Sequence, residues 1–166
     1  MHVRTQWLTL SALFIALSVL LPVLFHGIGL GPVFLPMFWP VAVGAFFLPS
    51  FYAAFVGVLA PLLSMLLTGM PPAPMIYVVL VELLLLGWVT SDLHHRKNWG
   101  LFWPLFCGLL ASQAAQFVCV IPLAPLLGLP SWSSAAILGF KGLPGLVFML
   151  LLIPAALARI KHRSLF

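Results

Sequence analysis

The chain of 166 residues contains 64% hydrophobic and only 5% charged residues, with a formal net charge of +5. A soluble domain has about 25% charged and roughly 45–50% apolar residues, so the composition excludes a soluble domain and predicts an integral membrane protein. No hydrophilic stretch is long enough for a second domain, and we expect residues 1–166 to form a single membrane domain.

Apolar runs along the chain predict six transmembrane spans. About 20 apolar residues cross a hydrocarbon core of roughly 30 Å, and such runs occur at residues 7–25, 35–48, 51–67, 75–93, 101–123 and 136–160. The second run is short and contains Pro36 and Pro40, which is typical of a broken helix covered by its neighbours. Glycine and proline predict outer loops at 26–33, 70–74 and 126–135. The predicted fold is an all-α bundle of six transmembrane helices.

The positions of the charged residues predict the orientation of this bundle. Arg4, the 94–97 turn and the 159–163 tail fall on one side of a six-span chain, and the other connections contain no lysine or arginine. The positive-inside bias makes that side cytoplasmic. We therefore predict that both termini are cytoplasmic and that the protein crosses the plasma (inner) membrane. Topology accounts for the basic charge, so we expect contact with the lipid bilayer and none with nucleic acid.

Two charged residues, Glu82 and Lys141, depart from this pattern because they lie in predicted spans, away from the ends that face the basic side. A carboxylate in a transmembrane helix costs at least a few kcal/mol and usually faces a cavity or a partner. Glu82 stands seven residues into span four, or ~10 Å at 1.5 Å per residue, a depth that suits a pocket open to the outside. A structural carboxylate is the alternative. Lys141 has three interpretations: it binds an anionic group of the ligand, it pairs with Glu82, or its side chain snorkels to the outer membrane interface.

Other candidate ligand contacts are polar or aromatic. Gln113 and Gln116 lie three residues apart on one face of span five, where a structural role between helices is the alternative. Trp39 and Tyr77 suit stacking on a ring, although aromatic residues are common at membrane interfaces. His26 stands alone in its predicted loop. Its two interpretations are a residue that caps the ligand and a solvated loop side chain. We expect no bound metal and no cofactor.

Five stretches of the chain, taken in order, carry a resemblance to a known family: residues 35–41 (LPMFWPV), 57–64 (GVLAPLLS), 67–72 (LTGMPP), 82–87 (ELLLLG) and 143–146 (LPGL), followed by Pro154. Together they resemble the substrate-binding S components of energy-coupling factor (ECF) vitamin transporters, over about residues 8–158. The resemblance implies a small organic ligand near the outer face, lined by spans four to six. The loops after spans one and three would close over it, which adds Met70 to the candidates.

The resemblance also implies partners. Members of the family dock onto a membrane coupling subunit through small residues on span one, which Ala12 and Ala16 match, and two separate ATPase subunits hydrolyse ATP. The chain itself lacks the GxxxxGK[ST] phosphate loop. Phe38 stands where many relatives have histidine, and Ser112-Gln113 where many have Gly-Arg, so the substrate cannot be carried over. The Met1-His2 start lacks the Pro-Asp-Gly turn of metal-ion members, which argues against a metal-ion substrate.

The sequence therefore predicts a non-enzymatic, high-affinity binding subunit for uptake of a vitamin or cofactor precursor. One alternative is a solitary cobalamin-type vitamin transporter. Another is an integral membrane enzyme that uses Glu82 and His26, although the chain has no second intramembrane carboxylate and no HExxH motif. A third is a structural subunit of a larger complex, with Glu82 and Lys141 at a subunit contact.

Overall fold

The computed structural model describes residues 2–27, 35–73, 75–127 and 132–163, with side chains described at 4–25, 35–73, 75–119 and 142–160. The helices are α1 His2–Gly27, α2 Phe38–Gly44, α3 Ser50–Thr68, α4 Met75–His95, α5 Phe102–Leu127 and α6 Trp132–Arg163. No strand occurs within these ranges. Every helix except α2 contains a segment long and apolar enough to cross a membrane. The predicted all-α membrane bundle is confirmed.

The second predicted span, 35–48, contains a helix of only seven residues, followed by turns. The segment nevertheless passes along most of α4. Leu35 lines a cavity together with Val79, whereas the carbonyl of Leu48 accepts a hydrogen bond from the hydroxyl of Ser91 at 2.6 Å. The helical rise from Val79 to Ser91 is ~18 Å. Leu48 is fully buried, and irregular backbone is tolerated at membrane depth where protein covers it.

Two predicted outer loops were too long. The first helix continues past His26, so this residue lies in the last turn of α1 and not in a loop. Helix α5 continues through Pro122 and Pro125, and α6 begins at Trp132, so most of the predicted 126–135 loop is helical. Proline is tolerated inside transmembrane helices because neighbouring groups satisfy the backbone that it frees, which is why these prolines do not end the helix.

Helix α4 lies at the centre and packs against α2, α3 and α5. Two glycines let α3 and α4 touch: Gly57 lies against the backbone of Leu83, and Gly87 lies against the backbone of Ala53. Small residues at such contacts allow close approach of helices in membranes, where packing rather than water drives association. Leu83 and Leu86 are fully buried in the resulting core.

The two ends of the bundle differ in charge. At the basic end, which carries Asp92, Arg96 and Lys97, the Asp92 carboxylate pairs with Arg96 at 3.1 Å. The same carboxylate accepts a hydrogen bond from the hydroxyl of Ser50 on α3 at 3.3 Å. The opposite end, as far as residues 35–38 and 69–73 describe it, carries no charged side chain. Positive-inside bias makes the basic end the cytoplasmic one.

Candidate functional site

A cavity of about 230 Å³ opens at the uncharged end of the bundle, opposite the basic end that carries Arg96 and Lys97. Its described walls come from four helices and their connections: Pro22 of α1, residues 35–38, Ser64 of α3, residues 70–72 and Val79 of α4. Only the hydroxyl of Ser64 is polar among these side chains. A mostly apolar pocket with few polar groups is the usual form of a site for a small organic ligand.

The loop after α3 is fixed where it borders this cavity. Gly69 takes a left-handed conformation with φ of 73°, and its N–H donates to the carbonyl of Met65 at 2.9 Å, which ends the helix. The hydroxyl of Thr68 donates to the carbonyl of Ser64 at 2.7 Å. It also accepts a hydrogen bond from the N–H of Met70 at 3.3 Å. These bonds hold Met70, a predicted site residue, at the cavity wall.

The other edge of the cavity contains a strained residue. Leu35 has a φ of 46°, a conformation that is uncommon outside glycine and costs about 1–3 kcal/mol. Its carbonyl accepts a hydrogen bond from the N–H of Phe38 at 2.9 Å. A Cβ at Gly142 of α6 would come within 3.0 Å of the Leu35 side chain. Leu35 therefore packs onto α6 at Gly142, where the absence of a side chain leaves room for it.

Glu82 is the one acidic side chain of the transmembrane interior, and it is 5% exposed. It does not face lipid. It lies seven residues into α4, ~10 Å from the first residue of the helix. No described side chain or backbone group donates a hydrogen bond to its carboxylate or pairs with it. Val79, which is half-buried and lines the cavity, lies about one helical turn from Glu82, nearer the cavity end of α4.

The contact between α4 and α5 sets the level of the polar residues on α5. Gly108 lies against the side chain of Thr90 and the backbone carbonyl of Leu86, and an added Cβ would crowd both. In an antiparallel helix pair this register places Glu82 between the levels of Ser112 and Gln116. Ser112 is fully buried and Gln116 is 8% exposed. The bundle interior thus holds a carboxylate, a hydroxyl and an amide within two helical turns.

The remaining predicted contacts are distributed differently. Gln113 is half-buried beside Gln116 on α5. Trp39 is half-buried against the core. Tyr77 is 53% exposed on the face of α4 that points away from the bundle, and it does not line the cavity. The side chains of His26 and Lys141 lie outside the described residues; the backbone of Lys141 is helical, well inside α6.

Sequence reasoning named one residue of the cavity wall, Met70, as a site residue, although most of the wall lies in the stretches that carry the family resemblance. Pro22 and Val79 lie in apolar runs outside those stretches, and nothing in the sequence separates them from core or lipid-facing residues. Ser64 is the exception, because a buried hydroxyl one turn before a Gly-Met-Pro-Pro loop is a signal that the sequence offers.

The predicted coupling residues lie on the surface. Ala12 and Ala16 are both exposed on α1, whereas Ser11, Phe14 and Ile15 between and beside them are buried. The two alanines therefore share a face that the rest of the chain leaves uncovered, one turn apart.

The family described as ECF transporter, substrate-specific component, matches residues 6–162, which is nearly the whole chain. Searches of curated proteins and of solved structures found no significant match. The matched family consists of membrane-embedded helical subunits that bind a small substrate and associate with an ECF module, and the five apolar helices fit a multi-pass membrane protein. The chain belongs to the family of substrate-specific components of ECF transporters.

Proposed function

We propose that the protein is the high-affinity binding subunit for uptake of a vitamin or cofactor precursor across the plasma membrane. The observation that carries this proposal is the apolar cavity at the uncharged end, one turn from the buried Glu82. A binding subunit for uptake must meet its substrate on the outer face, and positive-inside bias assigns that face to the uncharged end.

The cavity favours a small organic molecule. Drug-sized ligands occupy pockets of about 300–1,000 Å³, and the described cavity of about 230 Å³ is at or below the small end of that range. A vitamin-sized heterocycle fits this scale better than a corrinoid, which is several times larger. The proline, methionine and phenylalanine side chains of the wall would cover an apolar ring, and polar groups on α4 and α5 would fix its orientation.

Substrate entry involves the two segments that border the cavity. Residues 35–38 and 70–72 contribute most of its outer wall. Both lie beyond the ends of long helices, so a change in either segment would open the cavity without disturbing the packing of α3 on α4. We assign them the role of gates over the substrate.

Energy for transport would come from partners. The exposed face of α1 with Ala12 and Ala16 would receive the ECF coupling subunit, which carries two ATPase subunits on the cytoplasmic side. Two small residues one turn apart let another helix approach closely.

A matched pair of α4 variants tests the proposal. Val79→Phe fills the cavity, whereas Val81→Phe adds the same side chain on the exposed face of the helix, where Val81 is 37% exposed. Purified wild type and both variants are incubated with a cell metabolite extract, washed and denatured, and released molecules are identified by mass spectrometry. We expect one small molecule from wild type and Val81→Phe, and none from Val79→Phe. Equal release from all three proteins would place the ligand elsewhere.

A further inference from the structure

The carboxylate of Glu82 requires a partner that the described chain does not supply. A carboxyl group buried without a hydrogen-bonding partner is costly whether it is ionised or neutral, and in a membrane such a residue marks a functional site. The only other acidic residue, Asp92, has both a cation, Arg96, and a hydroxyl donor, Ser50. Glu82 has neither among the described residues, although it is the more buried of the two.

Helix geometry directs this carboxylate towards the cavity. Long side chains on an α-helix lean towards its N-terminus and cover the preceding turn. The N-terminus of α4 is at the cavity end, so the carboxylate of Glu82 reaches towards the level of Val79. It thus approaches the inner end of a cavity whose described wall offers only one polar side chain, Ser64.

We propose, resting on the binding function above, that the substrate supplies the missing partner: it carries an N–H-bearing group, such as the exocyclic amine of a heterocycle, that donates to Glu82. Its apolar ring occupies the cavity between Met70 and Val79. A molecule whose polar groups are only carboxylates or phosphates does not fit this proposal, because it has no N–H to donate to Glu82 and no described residue of the cavity wall is a cation.

The test identifies the bound molecule and compares two variants with the same chemical change. Wild type, Glu82→Gln and Asp92→Asn are incubated with a cell metabolite extract, and the molecules released on denaturation are identified and quantified. We expect a compound with at least one N–H donor on an apolar ring system. Its retention should fall at least about tenfold in Glu82→Gln, the loss expected for a charged hydrogen bond, and stay unchanged in Asp92→Asn.

Each other outcome contradicts a defined part of the account. A released compound with only anionic polar groups overturns the inference about chemical class and leaves the binding function standing. An N–H-bearing compound retained equally by wild type and Glu82→Gln shows that Glu82 has another partner, with Lys141 the first candidate. No released compound from any variant overturns the proposed function and this inference with it.

Discussion

Gly57 of α3 lies directly against the backbone carbonyl of Leu83 on α4, with no room for even a methyl group between the two helices. Leu83 is the neighbour of Glu82 in sequence, so this contact fixes the part of α4 that carries the buried carboxylate. Gly87 repeats the arrangement one turn further, against Ala53. The α3–α4 pair is therefore a rigid frame for the candidate site.

Gly57→Val should destabilise the bundle because its side chain would overlap the carbonyl of Leu83. Overpacking of this kind costs about 1–3 kcal/mol, and more where backbone has to move. Thermal unfolding of the detergent-solubilised protein measures the effect. Gly100→Val is the control, since a Cβ at Gly100 meets nothing within 4 Å. Equal unfolding temperatures for the two variants would contradict the close contact.

Ser91→Ala should loosen the segment that precedes α3. The Ser91 hydroxyl donates to the carbonyl of Leu48 at 2.6 Å in a fully buried position. Leaving that carbonyl unsatisfied costs about 1–3 kcal/mol. Thr9→Ala is the matched control, because the Thr9 hydroxyl bonds only within its own exposed helix, to the carbonyl of Thr5 at 3.0 Å. A smaller loss of stability in Ser91→Ala than in Thr9→Ala would argue against this bond.

The helices and their order follow from the sequence, because each apolar run long enough to cross a membrane is helical. Pro36 and Pro40 also signalled that the second span is short. The end of α5 and the start of α6 were misjudged, since Pro122 and Pro125 lie within a helix, and membrane helices tolerate proline where neighbouring groups replace the lost backbone bonds. Local sequence does not report such neighbours.

The candidate site was only partly predictable for a similar reason. Glu82 stands out in any apolar run because of its charge, and its burial agrees with that signal. Val79 and Pro22 line the cavity through the three-dimensional packing of separate helices, and their side chains have no distinguishing chemistry. Tyr77 was chosen for its ring, but its position on α4 directs it outwards.

Glu82→Gln and Lys141→Ala should each weaken ligand binding without unfolding the bundle. A lost hydrogen bond to a charged group is worth about 1.5–3 kcal/mol, or roughly ten- to a hundredfold in affinity. Titration of each purified variant with the molecule released from wild type measures the change, and circular dichroism checks the fold. Wild-type affinity in both variants would show that the site has been assigned to the wrong residues.

Ala12→Trp and Ala16→Trp should abolish uptake and co-purification with a coupling subunit, while ligand binding stays near normal. A tryptophan on this exposed face holds a partner helix away by the width of a side chain, and the cavity lies at the far end of α1. Ala156→Trp is the control, because Ala156 is an exposed alanine on α6. Unimpaired uptake in both α1 variants would mean that this face contacts only lipid.

The most direct test of the central claim is a crystal structure of the protein bound to the small molecule that it retains from a metabolite extract. The account predicts density for the ligand in the cavity against Met70 and Val79, with a nitrogen of the ligand within hydrogen-bonding distance of the Glu82 carboxylate. A ligand bound at the basic end, near Arg96 and Lys97, or one that leaves this cavity empty, would contradict it.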